Sequence, residues 1–227
     1  MLALHGWGRS SADFHSTLDG LSGQAALDAI ALDLPGFGAT PPPPSAWGSP
    51  EYASAVSPVL DEMADQIVLV GHSFGGRVAA YLAPRHPDRV KAVILSSVPL
   101  IRLQSPRRAP ALFLLARRAH RMGLLSDDRL QHLRIKYGSS DYRAAQGVMR
   151  SVLVKLMTET YDAQLRALDV PVELVWGDDD KDVPLPVAEQ VIGTLRHGSL
   201  SVCPGAGHLV PLTAPSKLRE LIEQHRP

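Results

Sequence analysis

A serine set between glycines carries the strongest chemical signal in the chain. Gly71-His72-Ser73-Phe74-Gly75 fits the pattern G-x-S-x-G. The residues before it, Gln66 to Val70, form an apolar run, and those after it have helical spacing. Glycine at 71 and 75 permits a strand-to-helix turn too sharp for bulkier residues, which exposes the Ser73 hydroxyl at a helix N-terminus. The free N–H groups and the helix dipole there favour a developing anion. A serine hydroxyl is a weak nucleophile without a base. Of the nine histidines, His208 in Pro204-Gly205-Ala206-Gly207-His208 directly follows the last apolar run. His86, His120, His132, His197 and His225 fall in helical or loop contexts away from a strand end, and His72, inside the turn, is expected to point inward. A base of this kind needs an acid to hold its tautomer and stabilise its cation. Trp176 to Pro184 offers Asp178, Asp179, Asp180 and Asp182, and spacing alone does not choose among them. The other candidate position, Ser96-Ser97-Val98-Pro99, has no acid.

These groups must be held by rigid elements. Leu2–Leu4, Ala29–Leu34, Gln66–Val70, Val90–Leu95, Val172–Trp176 and Ser199–Cys203 are short apolar runs bounded by Gly or Pro. They read as strands buried on both faces. Helical patterns lie over 11–21, 50–63, 75–86, 184–195 and 215–225. Strands alternating with helices predict an α/β class with a mostly parallel open sheet and helices on both faces. Ligands bind at strand ends in such sheets, where Ser73 and His208 fall. The alternation breaks over 99–168, which holds helical stretches and no convincing strand. Residues 1–98 and 169–227 are thus the expected core, with 99–168 an inserted helical segment. Pro41 to Pro44 predicts a stiff extended loop.

Composition narrows the function. Hydrophobic residues make up 45% of the 227 residues, enough for a sizeable core and against global disorder. Lys plus Arg and Asp plus Glu are both 23, which argues against a nucleic-acid binder driven by net positive charge. The neutral total hides an asymmetry. Residues 100–166 hold 13 Lys and Arg against 5 Asp and Glu, a basic insert on an acidic body. The single cysteine, Cys203, allows neither an internal disulfide nor a cysteine zinc cluster. No apolar run approaches the roughly 18 residues of a membrane span, and no basic leader precedes the first apolar run. A cytoplasmic location is the expectation.

With these segments in this order, the chain resembles an α/β-hydrolase. His5-Gly6-Trp7-Gly8, Asp33-Leu34-Pro35-Gly36-Phe37-Gly38, the Ser73 turn, Gly177 to Pro184 and Gly205-Ala206-Gly207-His208 carry the resemblance over all but the insert. The family's G-x-x-D-x-x-x-P pattern falls on Gly177, Asp180 and Pro184, so the resemblance nominates Asp180 as the acid. It implies oxyanion donors at the backbone N–H groups of Phe74 and Trp7, with the Trp7 side chain lining an acyl pocket. It implies that 99–168 is a lid, with Leu112, Phe113, Leu114, Leu115, Leu124 and Leu125 as candidates for its apolar underside. It also implies two further strands before Leu2. Either the chain is a compact member lacking that pair, or its start is truncated.

The resemblance implies a serine hydrolase acting on a carboxylic ester through Ser73, His208 and Asp180, with no metal or organic cofactor. Serine at the turn argues against the family's epoxide hydrolases and haloalkane dehalogenases, which need a carboxylate there. Thioesters, lactones, C–C bonds of vinylogous diketones, N-terminal proline peptides and a perhydrolase or halide oxidation are alternatives on the same groups. A small-molecule receptor that keeps the triad is an alternative of another class. The His-Gly-Trp-Gly and Ser73 segments look most similar to esterases that remove methyl esters from acyl chains on a carrier protein. An acidic carrier docking on the basic insert is therefore one expectation. Arginines that merely solvate lid helices are the other.

Overall fold

The computed structural model describes residues 1–21, 29–63, 66–101, 111–126, 129–130, 133 and 140–226. Six strands form one parallel sheet: β1 (Leu2–Leu4), β2 (Ile30–Leu32), β3 (Ile67–His72), β4 (Val90–Ser96), β5 (Val172–Gly177) and β6 (Gly198–Cys203). Their order across the sheet is β2-β1-β3-β4-β5-β6. Alternate residues of β1, β3, β4 and β5 supply two cores, whereas the edge strands β2 and β6, expected to be buried on both faces, are largely half-buried or exposed because each has a neighbour on one side only. Leu2, Leu4, Leu69, Val93, Leu95, Leu174 and Trp176 face one layer. Met1, Ala3, Val68, Val70, Ile94 and Val175 face the other. A strand buried this way reads as a continuous apolar run because the period-2 alternation has apolar partners on both sides.

Helices α1 (His15–Leu21), α2 (Ser49–Glu62) and α3 (Phe74–Leu82) lie between the first four strands. Between β4 and β5 come α4 (Ala111–Arg121), α5 (Ser140–Ala144), α6 (Gly147–Leu156) and α7 (Asp162–Ala167). Helices α8 (Pro186–Ile192), α9 (Val210–Thr213) and α10 (Pro215–Gln224) complete the described elements. One core packs α2, α3, α6, α7 and α8 on the sheet through Tyr52, Val78, Val152, Leu165 and Val187. The opposite face is covered by α1 and α10 through Leu21, Leu218 and Ile222. The result is helix, sheet and helix in three layers.

Element ends differ from the sequence expectation for local reasons. Strand β3 runs two residues past Val70, because Gly71 and His72 still pair with Leu95 and Ser96 of β4. Strand β2 stops at Leu32, where the Asp33 carboxylate instead accepts the N–H groups of Ser11 and Ala39. The helix expected over 75–86 ends at Leu82 and tightens into a 3-10 turn over Ala83–Arg85, with Pro84 inside it. The helix expected over 11–21 likewise opens as a 3-10 turn, Ser11–Phe14.

Candidate active site

The turn at Ser73 joins β3 to α3 with Ser73 at φ 48° and ψ −109°. A positive φ in a non-glycine residue costs of order 1–3 kcal/mol and persists only when its surroundings hold it. Three backbone bonds do so. Ser73 N–H donates to Ser96 O at 2.9 Å, Gly75 N–H to His5 O at 3.0 Å and Gly76 N–H to Ser73 O at 3.1 Å. The crossing is tight enough to exclude side chains. A Cβ on Gly75 would overlap the Leu4 carbonyl, and one on Gly71 would overlap the Gly76 backbone.

The last turn of the sheet edge brings His208 to this serine. His208 Nε2 lies 3.0 Å from Ser73 Oγ, and His208 Nδ1 lies 2.9 Å from Asp180 Oδ2. A carboxylate only accepts, so Nδ1 carries the proton and Nε2 presents its lone pair to the serine hydroxyl. The other Asp180 oxygen, Oδ1, accepts the N–H groups of Asp182 at 2.9 Å and Val183 at 2.8 Å. Burial pushes the Asp180 carboxyl upward, but the bonds from His208 and Val183 outweigh this and leave it below the ordinary carboxylate value. The loop is clamped from the core, where the indole N–H of fully buried Trp176 donates to Val183 O at 2.8 Å.

Asp180 is 4% exposed and is the buried member of its acidic cluster. Asp178 does different work: its carboxylate accepts Gly205 N–H at 2.7 Å and ties down the loop that leads to His208. Asp179 pairs with exposed Lys181. Asp180, Asp182 and His208 each bring one possible metal-ligand atom within 4.8 Å of the others. Both ring nitrogens of His208 and Asp180 Oδ2 are already engaged in the line from Ser73, and Asp180 Oδ1 by two backbone N–H groups. The cluster therefore suits proton transfer better than metal binding.

The β1 end supplies the facing wall. His5 is fully buried, and its Nε2 accepts Leu34 N–H at 3.0 Å, so its Nδ1 donates to Gly6 O at 2.7 Å. That ring pins the Gly6-Trp7 turn to the start of the next loop. Among the described residues, neither Trp7 N–H nor Phe74 N–H donates to another protein group. The Trp7 ring packs edge-on against Phe37 at 5.0 Å and Phe74 at 5.7 Å. His72 points inward as expected, with Nδ1 donating to Ser96 O at 3.1 Å. Burial, then the nearby His208, pushes its pKa down to about 3.

Of the leucines named for an apolar underside between β4 and β5, Leu125 is half-buried. Leu115 is 64% exposed and Leu124 73% exposed, and Leu114 is also exposed. The side chains of Leu112 and Phe113 lie outside the described residues, as do 102–110 of the expected insert. Helices α6 and α7 instead pack inward through Val152, Leu156 and Leu165. Sequence reasoning quoted His5 and Asp33 within motifs without giving them a task. The available signal was a polar residue at the end of each of the first two strands, where loop N–H groups need acceptors.

A parallel three-layer sandwich with a serine on a strained strand-to-helix turn defines an enzyme of the hydrolase class. The profile of the alpha/beta hydrolase family matches residues 1–221, and the chain belongs to that family. It is 29% identical over 227 residues to a pimeloyl-(acyl-carrier protein) methyl ester esterase of Neisseria meningitidis, covering 90% of this chain and 84% of that one. It is 30% identical over 229 residues to a non-heme haloperoxidase of Rhodococcus erythropolis, covering 90% and 83%. Its fold superposes on a thermophilic esterase from Thermogutta terrifontis with a TM-score of 0.69 at 21% identity, over 98% and 87% of the two chains. No helix among the described residues is long and apolar enough to cross a membrane.

Proposed function

We propose that the protein is a serine carboxylesterase working through an acyl-enzyme. The hydrogen-bonded line Ser73, His208, Asp180 carries this reading. Ser73 Oγ gives its proton to His208 Nε2 and bonds to the ester carbonyl carbon. The carbonyl oxygen becomes an anion, stabilised by the N–H groups of Trp7 and Phe74. Asp180 holds the imidazolium in place. Collapse breaks the ester C–O bond, and the alcohol leaves with the proton from His208. A water then gives a proton to His208 and attacks the acyl carbon. The acyl–Oγ bond breaks, and the proton returns to Ser73. Hydrolysis of p-nitrophenyl esters from acetate to long chains tests this. Turnover is expected, with a chain-length optimum, and Ser73→Ala should lose it. A folded Ser73→Ala protein that still turns over these esters would refute the assignment.

A finer reading of the substrate draws on the basic segment between β4 and β5 and on relatives named as methyl ester esterases of acyl-carrier conjugates. An acyl methyl ester on an acidic carrier protein is the substrate we favour, with 99–168 acting as the lid over the acyl chain. Charge steering predicts that kcat/KM on a carrier-bound ester falls steeply with salt, while a small ester stays flat. Equal salt profiles for the two would remove the docking role and leave the esterase.

A further inference from the structure

The end of β4 offers a group that the reaction as written does not use. Ser97 is fully buried and adopts φ 51°, the only non-glycine positive φ besides Ser73 among the described residues. Its N–H donates to Val175 O at 3.1 Å, which fixes it against β5, the strand that leads to Asp180. The residue before it, Ser96, accepts both Ser73 N–H and His72 Nδ1–H. The Ser97 hydroxyl meets no hydrogen-bond partner among the described residues. A buried unpaired hydroxyl is costly and calls for an explanation.

The Asp180 carboxylate supplies one. Its oxygens accept three N–H donors, from His208, Asp182 and Val183, and a carboxylate has about four lone-pair sites. The Ser97 side chain also contributes to holding the Asp180 carboxyl below its ordinary pKa. We propose that Ser97 is a positioning residue for the Asp180 carboxylate, its hydroxyl closing onto that carboxylate as the fourth donor when His208 becomes charged. The strained backbone then has a purpose, because it turns a side chain at the end of β4 toward the neighbouring loop. This proposal rests on the esterase reading above.

The charged and titratable groups around the pair are Asp180, Asp182 and His208 from the β5 and β6 loops and His72 from β3. Removing a donor from Asp180 concentrates its negative charge and favours the protonated base. The acid limb of kcat/KM on a p-nitrophenyl ester should therefore move to higher pH, by about half a unit, in Ser97→Ala. Ser97→Gly also lacks the hydroxyl but accepts a positive φ freely. It should show the same displaced limb with equal or better thermal stability, which a purely structural role would not give. An acid limb unmoved in a folded Ser97→Gly enzyme overturns the proposal. Ser73→Ala run alongside separates the two readings. If it stays active, the esterase assignment fails; if it is dead while both Ser97 variants keep the wild-type profile, only the positioning role fails.

Discussion

Replacing Asp180 by Asn changes one atom, and the geometry says how much that atom matters. Oδ1 accepts two backbone N–H groups, at 2.9 and 2.8 Å. An amide NH2 cannot accept, so the asparagine oxygen takes that place and its NH2 faces His208 Nδ1. The ring then presents its lone pair at Nδ1 and its proton at Nε2, toward the Ser73 hydroxyl 3.0 Å away. In that tautomer His208 cannot take the serine proton. Restoring the working tautomer requires flipping the amide and leaving two N–H donors unpaired, Asp182 part-buried and Val183 buried. Each such loss costs about 1–3 kcal/mol, so about 4 kcal/mol together. That is about 10³-fold in kcat, approaching the roughly 10⁴ seen for the same change in serine protease triads. The variant should fold, because the asparagine oxygen still accepts both loop N–H groups. The assay is kcat on the best p-nitrophenyl ester beside a thermal melt. A fully folded Asp180→Asn enzyme within tenfold of wild type refutes the reasoning. A thousandfold loss in Asp178→Asn or Asp182→Asn instead would move the role of acid to that residue.

Two buried histidines make stability sensitive to mild acid. His72 is pushed down to about 3, and burial also lowers His5. A base with a depressed folded pKa contributes its full share above its unfolded value near 6.5, and that share is lost as pH falls toward the folded value. Urea unfolding should therefore weaken below pH 6.5 by about 1–3 kcal/mol per pH unit, well above the range where Asp180 and Asp33 protonate; a flat profile between pH 7 and 5 would contradict it. Glu159 accepts Ser49 N–H, Ser49 Oγ–H and Tyr161 O–H, joining the chain after α6 to the start of α2. Glu159→Ala strands buried donors and should cost about 2–4 kcal/mol, or about 4–16 °C in Tm for a chain of this size; an unchanged melt would mean that this anchor is dispensable.

The sheet and the serine turn were legible because their signals are local. Short Val, Ile and Leu runs ending in Gly or Pro need no distant partner to be read, and G-x-S-x-G names its own geometry. The choice of Asp180 among four carboxylates was not local. Its burial comes from Trp176 clamping Val183 and from the Asp182 and Val183 N–H groups turning onto it. The tasks of His5 and Asp33 depend on partners 29 and 22 residues away. Ser97 was invisible for a different reason: its signal is a backbone angle and an unpaired hydroxyl, neither written in residue type. Between β4 and β5 the apolar pattern did not say which residues pack on the core. Leu114, Leu115 and Leu124 have the composition of a buried face, yet the packed residues are Val152, Leu156 and Leu165 further along.

That difference separates chemistry from substrate handling. Every group in the proposed reaction follows a strand: Trp7 after β1, Ser73 and Phe74 after β3, Asp180 after β5 and His208 after β6. The strain at Ser73 is offset by bonds from the ends of β1 and β4, both inside the sheet. Helices α6 and α7 give no atom to that line. They reach it through α2 and α3, where Lys155 pairs with Glu51, Arg77 donates to Leu156 O at 3.2 Å and Glu159 holds Ser49. Arg77 and Phe74 share one helix, so the anchor of the segment between β4 and β5 and one proposed oxyanion donor sit on the same rigid element. If 99–168 is the lid proposed above, changes on the exposed face of α4 leave this connection untouched and should alter which ester is accepted. Changes at Arg77 or Glu159 act through α2 and α3 and should alter how fast any ester is cleaved.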